Sequence, residues 1–560
     1  MRYGFLLSVV SILLGISCSE EGAEVSRLPS SPNVVFIITD DQGYADLGSH
    51  GHPLLKTPEL DKLHAESVRL TDFHVSPTCT PTRGALMSGQ WTNRAGSWHT
   101  IMGRSMMFQD KTTLAQVFAD NGYATGMFGK WHLGDNYPYR PEDRGFQEVV
   151  RHAGGGIGQT PDFWDNNYFD DTYFHNGEPR PFSGYCTDVF FSEAKRFIQL
   201  QASEGKPFFA YISTNAPHGP FLCPEKYWQP YLEHEGVDER LAIFFGMIAN
   251  IDENVGALRS WLAEEGLAEN TIFIFMTDNG TASGAQYYNA GMRAGKGSAY
   301  DGGHRVPFFL HWPADGFNKP IDVDRITAHV DILPTLMELC ELTPLEGYLL
   351  DGKSLVPLLR DPAANWPERV IITDSQRVRD PIKWKDSSTM TDRWRLINGK
   401  QLYDIQTDPG QKSDIAADHP EVVQRLTAAY DTWWQDVSQA FDQDTRLHVG
   451  NDAENPAVLT CHDWLTDGSS PPWHQGMVRR GQRGTGEWSL TFEQAGTYRI
   501  SLRRWPRESG LALRISVAAP APVPGLKAYG EEEGMALDII SASIRITGLE
   551  VSEKILSDAQ

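Results

Sequence analysis

A cysteine and an arginine four residues apart are the most informative pair in this 560-residue chain. The segment Cys79-Thr80-Pro81-Thr82-Arg83 places a proline after the cysteine, and proline favours the first turn of a helix. Residues four apart share one helix face, so Arg83 should lie one turn below Cys79. Because a helix N-terminus attracts anions, the pattern predicts a nucleophile beside an oxyanion. A buried structural cysteine near a helix end is the alternative interpretation.

A second group of residues offers only oxygen ligands: Asp40, Asp41, Asp278 and Asn279. Oxygen ligands suit a hard cation such as Ca²⁺, whereas zinc would normally recruit histidine or cysteine. Alternatively, each acidic pair caps the helix after its strand. Because both pairs should meet at one edge of a sheet, we favour a single shared ion, Ca²⁺ rather than Mg²⁺. Such an ion would act as a Lewis acid and hold a substrate oxygen near the nucleophile.

Two lysines and two histidines complete the candidate chemistry. Lys130 and His132 are two residues apart, so on an extended chain both can point to the same side. His218 lies in a loop between two prolines, and Lys296 lies between two glycines. Lys130 and His132 alone would be weak evidence, because a lysine or histidine after a strand is usually solvated.

Four short apolar runs predict the strands that position these residues: 33–39, 123–128, 207–213 and 271–276. Polar residues follow each run directly, and open α/β sheets place their active sites at the carboxyl edge of the strands. Residues 239–264 carry apolar side chains at helical spacing, which predicts a crossover helix. The pattern therefore predicts an α/β fold with one site at one sheet edge.

The sequence predicts three regions after the first 18 residues: a catalytic domain over 30–370, a C-terminal subdomain over 371–445 and an accessory β-rich domain over 450–560. In the subdomain, short antiparallel strands around an Asn398-Gly399 turn precede a helix over 420–441. In the accessory domain, the alternating stretches 487–492 and 497–502 predict a half-buried β hairpin. The aromatic segment 154–181 could stack on a sugar ring or form its own small core. The Trp473-His474 pair is a candidate for folding back to the site.

Several further segments, together with the cysteine motif, resemble the type I, formylglycine-dependent sulfatases of the alkaline-phosphatase-like superfamily, including exported bacterial carbohydrate sulfatases and arylsulfatases. They occur in family order over about 32–420: Asp40-Asp41-x-Gly43, Gly129-Lys130-Trp131-His132-Leu133-Gly134, Asp143-Arg144-Gly145-Phe146, Pro217-His218-x-Pro220-Phe221, Asp278-Asn279-Gly280 and Gly302-Gly303-x-Arg305-Val306-Pro307. Asp301 departs from the family, since many members carry Glu there. The resemblance implies a mixed sheet between helices, followed by a smaller C-terminal α+β subdomain.

The resemblance also implies a role for each matching residue. One Ca²⁺ would bind the four oxygen ligands and contact Cys79, which a maturation enzyme would oxidise to formylglycine, the nucleophile. Arg83 would stabilise the oxyanion of the nucleophile. The remaining roles are these: Lys130 and Lys296 bind the sulfate, His132 is the base for the formylglycine hydroxyl, and His218 protonates the leaving alcohol. His304 and Arg305 lie close in sequence to Lys296 and are candidates for substrate contacts.

The net charge and the N-terminal segment indicate which partners and which compartment to expect. The net charge of −24 argues against a nucleic-acid partner, so a local cluster of cations must attract an anionic substrate. Residues 1–18 resemble an export signal whose Cys18 could be lipidated, although Gly15 departs from that pattern; an ordinary secretory signal is the alternative. We expect an exported protein of the periplasm or cell surface, with membrane attachment only through that lipid. We expect no later stretch to span a membrane. Four of the cysteines could form up to two disulfides.

The favoured function is hydrolysis of sulfate monoesters on a carbohydrate. Sixteen tryptophans and 11% aromatic residues suit a protein that handles sugar rings. The alternatives are a phosphonate or phosphodiester hydrolase of the same superfamily and a non-catalytic glycan-binding protein. The complete set of candidate catalytic residues argues against the latter.

Overall fold

The computed structural model describes residues 1, 31–547 and 552–555. The predicted export signal, including Cys18, lies outside the described residues. The centre of the molecule is a ten-stranded mixed sheet. Its strands, from one edge to the other, are Ile321–Val323, Val68–Leu70, Phe308–His311, Thr271–Thr277, Asn33–Thr39, Phe208–Ser213, Ala124–Lys130, Glu148–His152, Thr172–His175 and Glu178–Pro181.

Five neighbouring strands in the middle of this sheet are parallel, from Thr271–Thr277 to Glu148–His152. The central strand is Asn33–Thr39, where Val34 lies opposite Phe209 on one side and Ile272 on the other. Parallel strands are buried on both faces, which explains their near-continuous apolar sequences. The four predicted strands are confirmed, and their carboxyl ends meet at one edge of the sheet.

Helices cover both faces of the sheet. Val35 and Ile37 of the central strand belong to one apolar cluster, whereas Val34, Phe36 and Ile38 belong to a second one. This division follows from the two-residue period of a strand. The helices of this domain are Pro58–Ala65, Cys79–Ser88, Thr92–Ala95, Leu114–Asp120, Cys186–Ser203, Glu225–Trp228, Glu239–Glu264, Asp301–His304, Ile332–Leu339 and Val356–Arg360.

The predicted crossover helix is Glu239–Glu264. Asp238 caps its N-terminus, because the Asp238 carboxylate accepts a hydrogen bond from the Leu241 amide at 2.8 Å. Contrary to the sequence expectation, this helix is long and apolar enough to cross a membrane, the one such helix in the described part of the chain. However, 78% of its most apolar stretch is buried inside the fold, as in a core helix.

A second, smaller sheet follows the catalytic domain and confirms the predicted subdomain. Its four antiparallel strands pair in sequence order: Ile371–Asp374, Ser387–Met390, Trp394–Ile397 and Gln401–Asp404. Asn398 and Gly399 form the predicted tight turn, with φ of 53° and 65°. The helix Pro420–Val437 packs on this sheet, because its buried Tyr430 belongs to one apolar cluster with Ile371 and Met390.

The last region contains little regular structure. The strand Leu447–Val449 pairs in parallel with Leu490–Phe492, and Ser541–Ile544 pairs with Ser552–Ile555. The one α-helix described here is Gln475–Arg479. The predicted hairpin was wrong, since residues 497–502 form no strand in the structure as described. Ile500 and Leu502 are exposed, so the alternating apolar residues have no core to cover.

The cysteines of the described chain form no disulfide. Cys79, Cys186, Cys223 and Cys340 are buried and free, and Cys461 is partly buried and free. The disulfides that the sequence left open are therefore absent among these five.

Candidate active site

The cysteine motif lies at the start of a fully buried helix, as predicted. The helix Cys79–Ser88 follows Thr78, whose backbone is extended, and it ends at Gly89 in the left-handed conformation (φ 64°). Only glycine adopts that conformation without strain, which explains the small residue after Ser88. Arg83, one turn after Cys79, donates hydrogen bonds to Asp278 at 2.8 and 3.1 Å and to the Lys130 carbonyl at 3.2 Å.

The predicted metal ligands lie together beside the cysteine. Ligand atoms of Asp40, Asp278 and Cys79 are within 4.8 Å of one another. The Asn279 amide donates to Asp41 at 2.9 Å, which ties the two acidic pairs together. Among the described residues, Asp40 Oδ1 and Asn279 Oδ1 are buried without a hydrogen-bond partner.

These unpaired oxygens fit a hard cation. Buried polar atoms normally have a partner, and a buried carboxylate oxygen without one is costly. A ligand set of carboxylate and amide oxygens is the set that Ca²⁺ prefers. The residues present therefore suit a hard cation such as Ca²⁺.

Charge in this cluster is balanced before any ion binds. Three carboxylates face three cations through ion pairs: Asp40 with Lys130, Asp41 with Lys296 and Asp278 with Arg83. Burial and the neighbouring Asp40 charge raise the pKa of Asp278, an effect that a bound cation would oppose. A divalent ion would leave an excess of two positive charges. The site could then attract an anionic ester despite the acidic surface of the protein.

Both lysines reach the acidic cluster. Lys130, the last residue of its strand, is fully buried, and its Nζ lies 2.7 Å from Asp40 Oδ2. Lys296 Nζ pairs with Asp41 Oδ1. Burial alone would lower the pKa of Lys296, but the charges of Asp41 and the other acidic groups of the cluster together outweigh this effect and raise the pKa, so the ammonium stays charged. Two fixed cations thus flank the cysteine helix.

His132 is placed to accept a proton near Cys79. Its Nε2 lies 2.8 Å from the Thr100 carbonyl, and its Nδ1 lies 3.5 Å from Cys79 Sγ. A carbonyl only accepts hydrogen bonds, so Nε2 carries the proton and Nδ1 presents a lone pair to Cys79. Burial, together with the charge of Lys130, holds the pKa of His132 well below its usual value. His132 is therefore a neutral base.

His218 is partly buried beside the acidic cluster. Its Nδ1 lies 2.5 Å from the Gly219 carbonyl and therefore carries a proton. Its Nε2 is directed toward the cluster, 3.9 Å from Asp41 Oδ2. Burial lowers the pKa of His218 to about 3, although the Asp41 charge opposes this shift. An anion bound beside Nε2 would raise this pKa and favour the protonated form.

His304 and Arg305 do not take the predicted substrate-contact positions. His304 is fully buried; its Nε2 lies 3.0 Å from the Ala299 carbonyl and its Nδ1 lies 2.9 Å from His74. His74 contacts Asp72 at 2.9 Å, and Arg395 from the small sheet binds the same carboxylate at 2.9 Å. His304 thus belongs to a buried polar network between the two domains.

Arg305 is also engaged elsewhere. Its guanidinium donates to the Thr71 carbonyl at 2.9 Å and stacks over the Tyr44 ring at 4.8 Å. Asp301, where the family often carries Glu, accepts a hydrogen bond from Arg395 Nε at 3.1 Å. Asp301 and Arg305 therefore hold the turn that follows Lys296 and do not line the site.

A glycine loop that the sequence analysis did not single out separates the two histidines. A Cβ atom on Gly155 would lie 2.3 Å from the His132 ring, and one on Gly156 would lie 3.4 Å from His218 Nδ1. The Gln159 side chain accepts a hydrogen bond from the Gly155 amide at 2.8 Å and so fixes the loop. Three consecutive glycines, Gly154 to Gly156, were the sequence signal for this close approach.

The aromatic segment 154–181 contributes to the core. Tyr168 and Tyr173 are buried in the first apolar cluster, and the Tyr168 hydroxyl donates to the His218 carbonyl at 3.1 Å. These contacts favour the interpretation that the segment packs internally and supports the His218 loop.

The Trp473-His474 pair, the candidate for folding back, lies against the glycine loop. The Thr160 amide donates to the Trp473 carbonyl at 2.9 Å, and the Gln475 amide donates to the Gly158 carbonyl at 3.0 Å. The last region thus pairs with the glycine loop.

The parallel sheet, the cation cluster and the buried cysteine together are typical of an α/β hydrolase that acts on anionic esters. Comparison with known proteins narrows this class. A sequence model of the sulfatase family matches residues 32–342. Human arylsulfatase A is 30% identical over 474 residues, which span 74% of this chain and 89% of that protein. The ulvan-active sulfatase of Formosa agariphila is 29% identical over 382 residues, which span 62% of this chain and 70% of that protein.

A solved structure supports the same assignment. The crystal structure of Ps i-CgsB in complex with k-i-k-neocarrahexaose superposes with a TM-score of 0.67 at 27% identity. The match covers 73% of this chain and 94% of that one. The chain belongs to the sulfatase family, and it is a sulfuric ester hydrolase.

Proposed function

We propose that the protein removes sulfate from a carbohydrate, with formylglycine made from Cys79 as the nucleophile and one Ca²⁺ as the metal. The observation that carries this proposal is the position of Cys79. Its sulfur lies within 4.8 Å of ligand oxygens of Asp40 and Asp278, and 3.5 Å from the free Nδ1 of His132. The relative in complex with a carrahexaose and the ulvan-active relative support a polysaccharide substrate.

The metal would be held by the oxygen ligands already described, with residue 79 beside them. When bound, Ca²⁺ would supply Lewis-acid stabilisation of the negative charge on the sulfate oxygens, and formylglycine would supply a hydroxyl nucleophile. Arg83 keeps Asp278 in place through its two-nitrogen contact with that carboxylate. Residue 79 and the ion site are therefore fixed by the same buried ion pair.

The other side chains bind the substrate and move protons. Lys130 and Lys296 would bind the sulfate through their two ammonium groups. In the structure, these groups pair with Asp40 and Asp41, the carboxylates that would also bind the ion. Such preorganised charges usually supply the largest part of catalysis. His132 Nδ1 accepts a proton from the nucleophile, because its other nitrogen is held by the Thr100 carbonyl.

His218 serves the leaving group. Its Nδ1 is held by the Gly219 carbonyl, so the proton for the leaving oxygen comes from Nε2. An alkoxide is a poor leaving group, and a positioned general acid accelerates its departure by roughly 10²–10⁴-fold. The bound sulfate ester would raise the pKa of His218 and load Nε2 with the proton that it donates.

The proposal includes two steps outside the active site. A maturation enzyme of the host must oxidise Cys79, and the N-terminal segment would direct export to the periplasm or cell surface, with Cys18 as a lipid attachment site. Cell fractionation tests export: a lipoprotein would be recovered with membranes, and Cys18→Ala would release it. Recovery of both proteins in the cytosol would contradict this part of the proposal.

The proposed reaction is tested by a substrate panel. Matured wild-type protein and Cys79→Ala are incubated with sulfated oligosaccharides, an aryl sulfate, a phosphodiester and a phosphonate monoester. We expect sulfate release from an oligosaccharide by the wild type alone, with loss of activity in chelator. Activity on aryl sulfates only would refute the carbohydrate substrate. Faster release from the phosphorus esters would refute the sulfatase assignment.

A further inference from the structure

Three aromatic side chains from the last region form a cluster beside the active site. Trp473, His474 and Tyr529 pack together: the Trp473 and Tyr529 rings are 5.4 Å apart, and the His474 and Tyr529 rings stack at 4.4 Å. His474 is buried, whereas Trp473 and Tyr529 are partly exposed. The cluster therefore consists of one buried ring and two rings that remain accessible to a ligand.

Tyr529 places this cluster beside His218. Its hydroxyl donates to the Gly219 carbonyl at 3.3 Å, and the same carbonyl is the partner of His218 Nδ1 at 2.5 Å. A Cβ atom on Gly158 would lie 3.3 Å from Tyr529 Cβ. The phenol thus adjoins the residue that protonates the leaving alcohol.

The cluster is rigidly attached to the glycine loop. Backbone hydrogen bonds join Trp473 to Thr160 and Gln475 to Gly158. The buried Gln475 side chain adds a hydrogen bond to the Phe163 carbonyl at 3.0 Å. The same loop touches both catalytic histidines, so the aromatic rings keep a fixed position relative to the chemistry.

We propose that Trp473 and Tyr529 form the subsite that binds the sugar ring carrying the sulfate. The inference rests on the proposed function and deepens it. A sugar ring leaves with the oxygen that His218 protonates, so it must lie beside His218. Tyr529, which packs on Trp473, adjoins that histidine through the Gly219 carbonyl. Apolar ring faces that remain partly exposed on a rigid base suit the C–H face of a sugar. The cluster lies beyond residue 342, where the family match ends, so the two rings are not among the positions that the family model covers.

The test compares Trp473→Ala, Trp473→Phe and Trp366→Ala. Trp366 is a suitable control because it is also partly buried, but it packs against the second apolar cluster, which contains Val34, Phe36 and Ile38. An aromatic contact contributes enough that its loss should raise KM for a sulfated oligosaccharide by about tenfold. We expect kcat to change little, Trp473→Phe to recover most of the affinity, and Trp366→Ala to retain wild-type KM.

A second readout separates a substrate contact from a structural role. Inorganic sulfate binds only the sulfate pocket, so its inhibition constant should be the same in the wild type and in Trp473→Ala. If that constant rises as much as KM, or if KM is unchanged, the inference is overturned.

The inference and the proposed function can fail separately. If the wild type releases sulfate from no carbohydrate, the proposed function fails, and calorimetric titration with k-i-k-neocarrahexaose then tests the subsite without turnover. A tenfold weaker affinity in Trp473→Ala than in Trp366→Ala would support the subsite. Equal affinities, or no binding by the wild type, would overturn it.

Discussion

Replacing Gly155 by alanine should disable the base His132, although the histidine itself is unchanged. The added Cβ would lie 2.3 Å from His132 Cε1 and 2.4 Å from Nε2. Carbon atoms pack at about 3.5 Å or more, so the ring or the loop must move by about 1.2 Å. Gly155 is not in the left-handed region, so the effect of the substitution is steric.

A shift of this size would break the geometry that makes His132 a base. The ring is held by a 2.8 Å contact to the Thr100 carbonyl and faces Cys79 Sγ at 3.5 Å. Misplacement of a catalytic group by about 1 Å can cost roughly 10²-fold in rate. We therefore expect kcat of Gly155→Ala to fall by about 100-fold in an assay of sulfate release, while KM changes much less.

Gly156→Ala is the matched control for this prediction. Its Cβ would meet Gln159 at 3.3 Å and His218 at 3.4 Å, which requires movements of only a few tenths of an ångström. We expect kcat of this variant within a few-fold of the wild type, and thermal unfolding should show that both variants fold. Wild-type kcat in a folded Gly155→Ala protein would refute the assignment of His132 as a positioned base.

Three further predictions concern stability. Arg83→Ala should lower the free energy of unfolding by about 3–5 kcal/mol, because Asp278 would remain as a buried unpaired charge; Arg425→Ala, which breaks an exposed pair with Glu368, should cost about 0–1 kcal/mol, and equal costs in urea titrations would contradict this. Chelator should lower the melting temperature, and Ca²⁺ at 100 times its Kd should restore about 2.7 kcal/mol of unfolding free energy; an unchanged melting temperature would argue against a resident ion. Burial lowers the pKa of His329 to about 3, so below pH 6.5 only the unfolded chain binds this proton, and stability falls as pH falls toward 3. The wild type should then lose about 2 kcal/mol more than His329→Gln between pH 6.5 and 5, whereas parallel urea curves would refute the assignment.

Much of the site could be predicted from the sequence because it depends on local rules. Strands recognisable by their apolar runs end at one sheet edge, so the residues after each strand had to meet there. This brought Asp40, Lys130, His218 and Asp278 together without knowledge of the loops. The signature helix was equally predictable, since proline and the spacing of Cys79 and Arg83 act within a single turn.

The incorrect expectations concern contacts between distant segments. His304 is close to Lys296 in sequence, but its ring contacts His74, and His74 contacts Asp72. Arg395 binds the same Asp72 carboxylate, so this buried network holds His304 away from the site. The 497–502 stretch alternates like a strand, yet Leu490–Phe492 pairs with Leu447–Val449 instead. Tyr529 carried no local signal at all, because its role arises only when the last region packs on the Gly219 loop.

The mass of the peptide that contains Cys79 tests the central claim most directly. Protein produced with a sulfatase maturation enzyme should yield a peptide in which one oxygen replaces one sulfur and two hydrogens, and the fraction converted should track the specific activity for sulfate release. Full activity in protein whose Cys79 is entirely unmodified would contradict the proposed nucleophile.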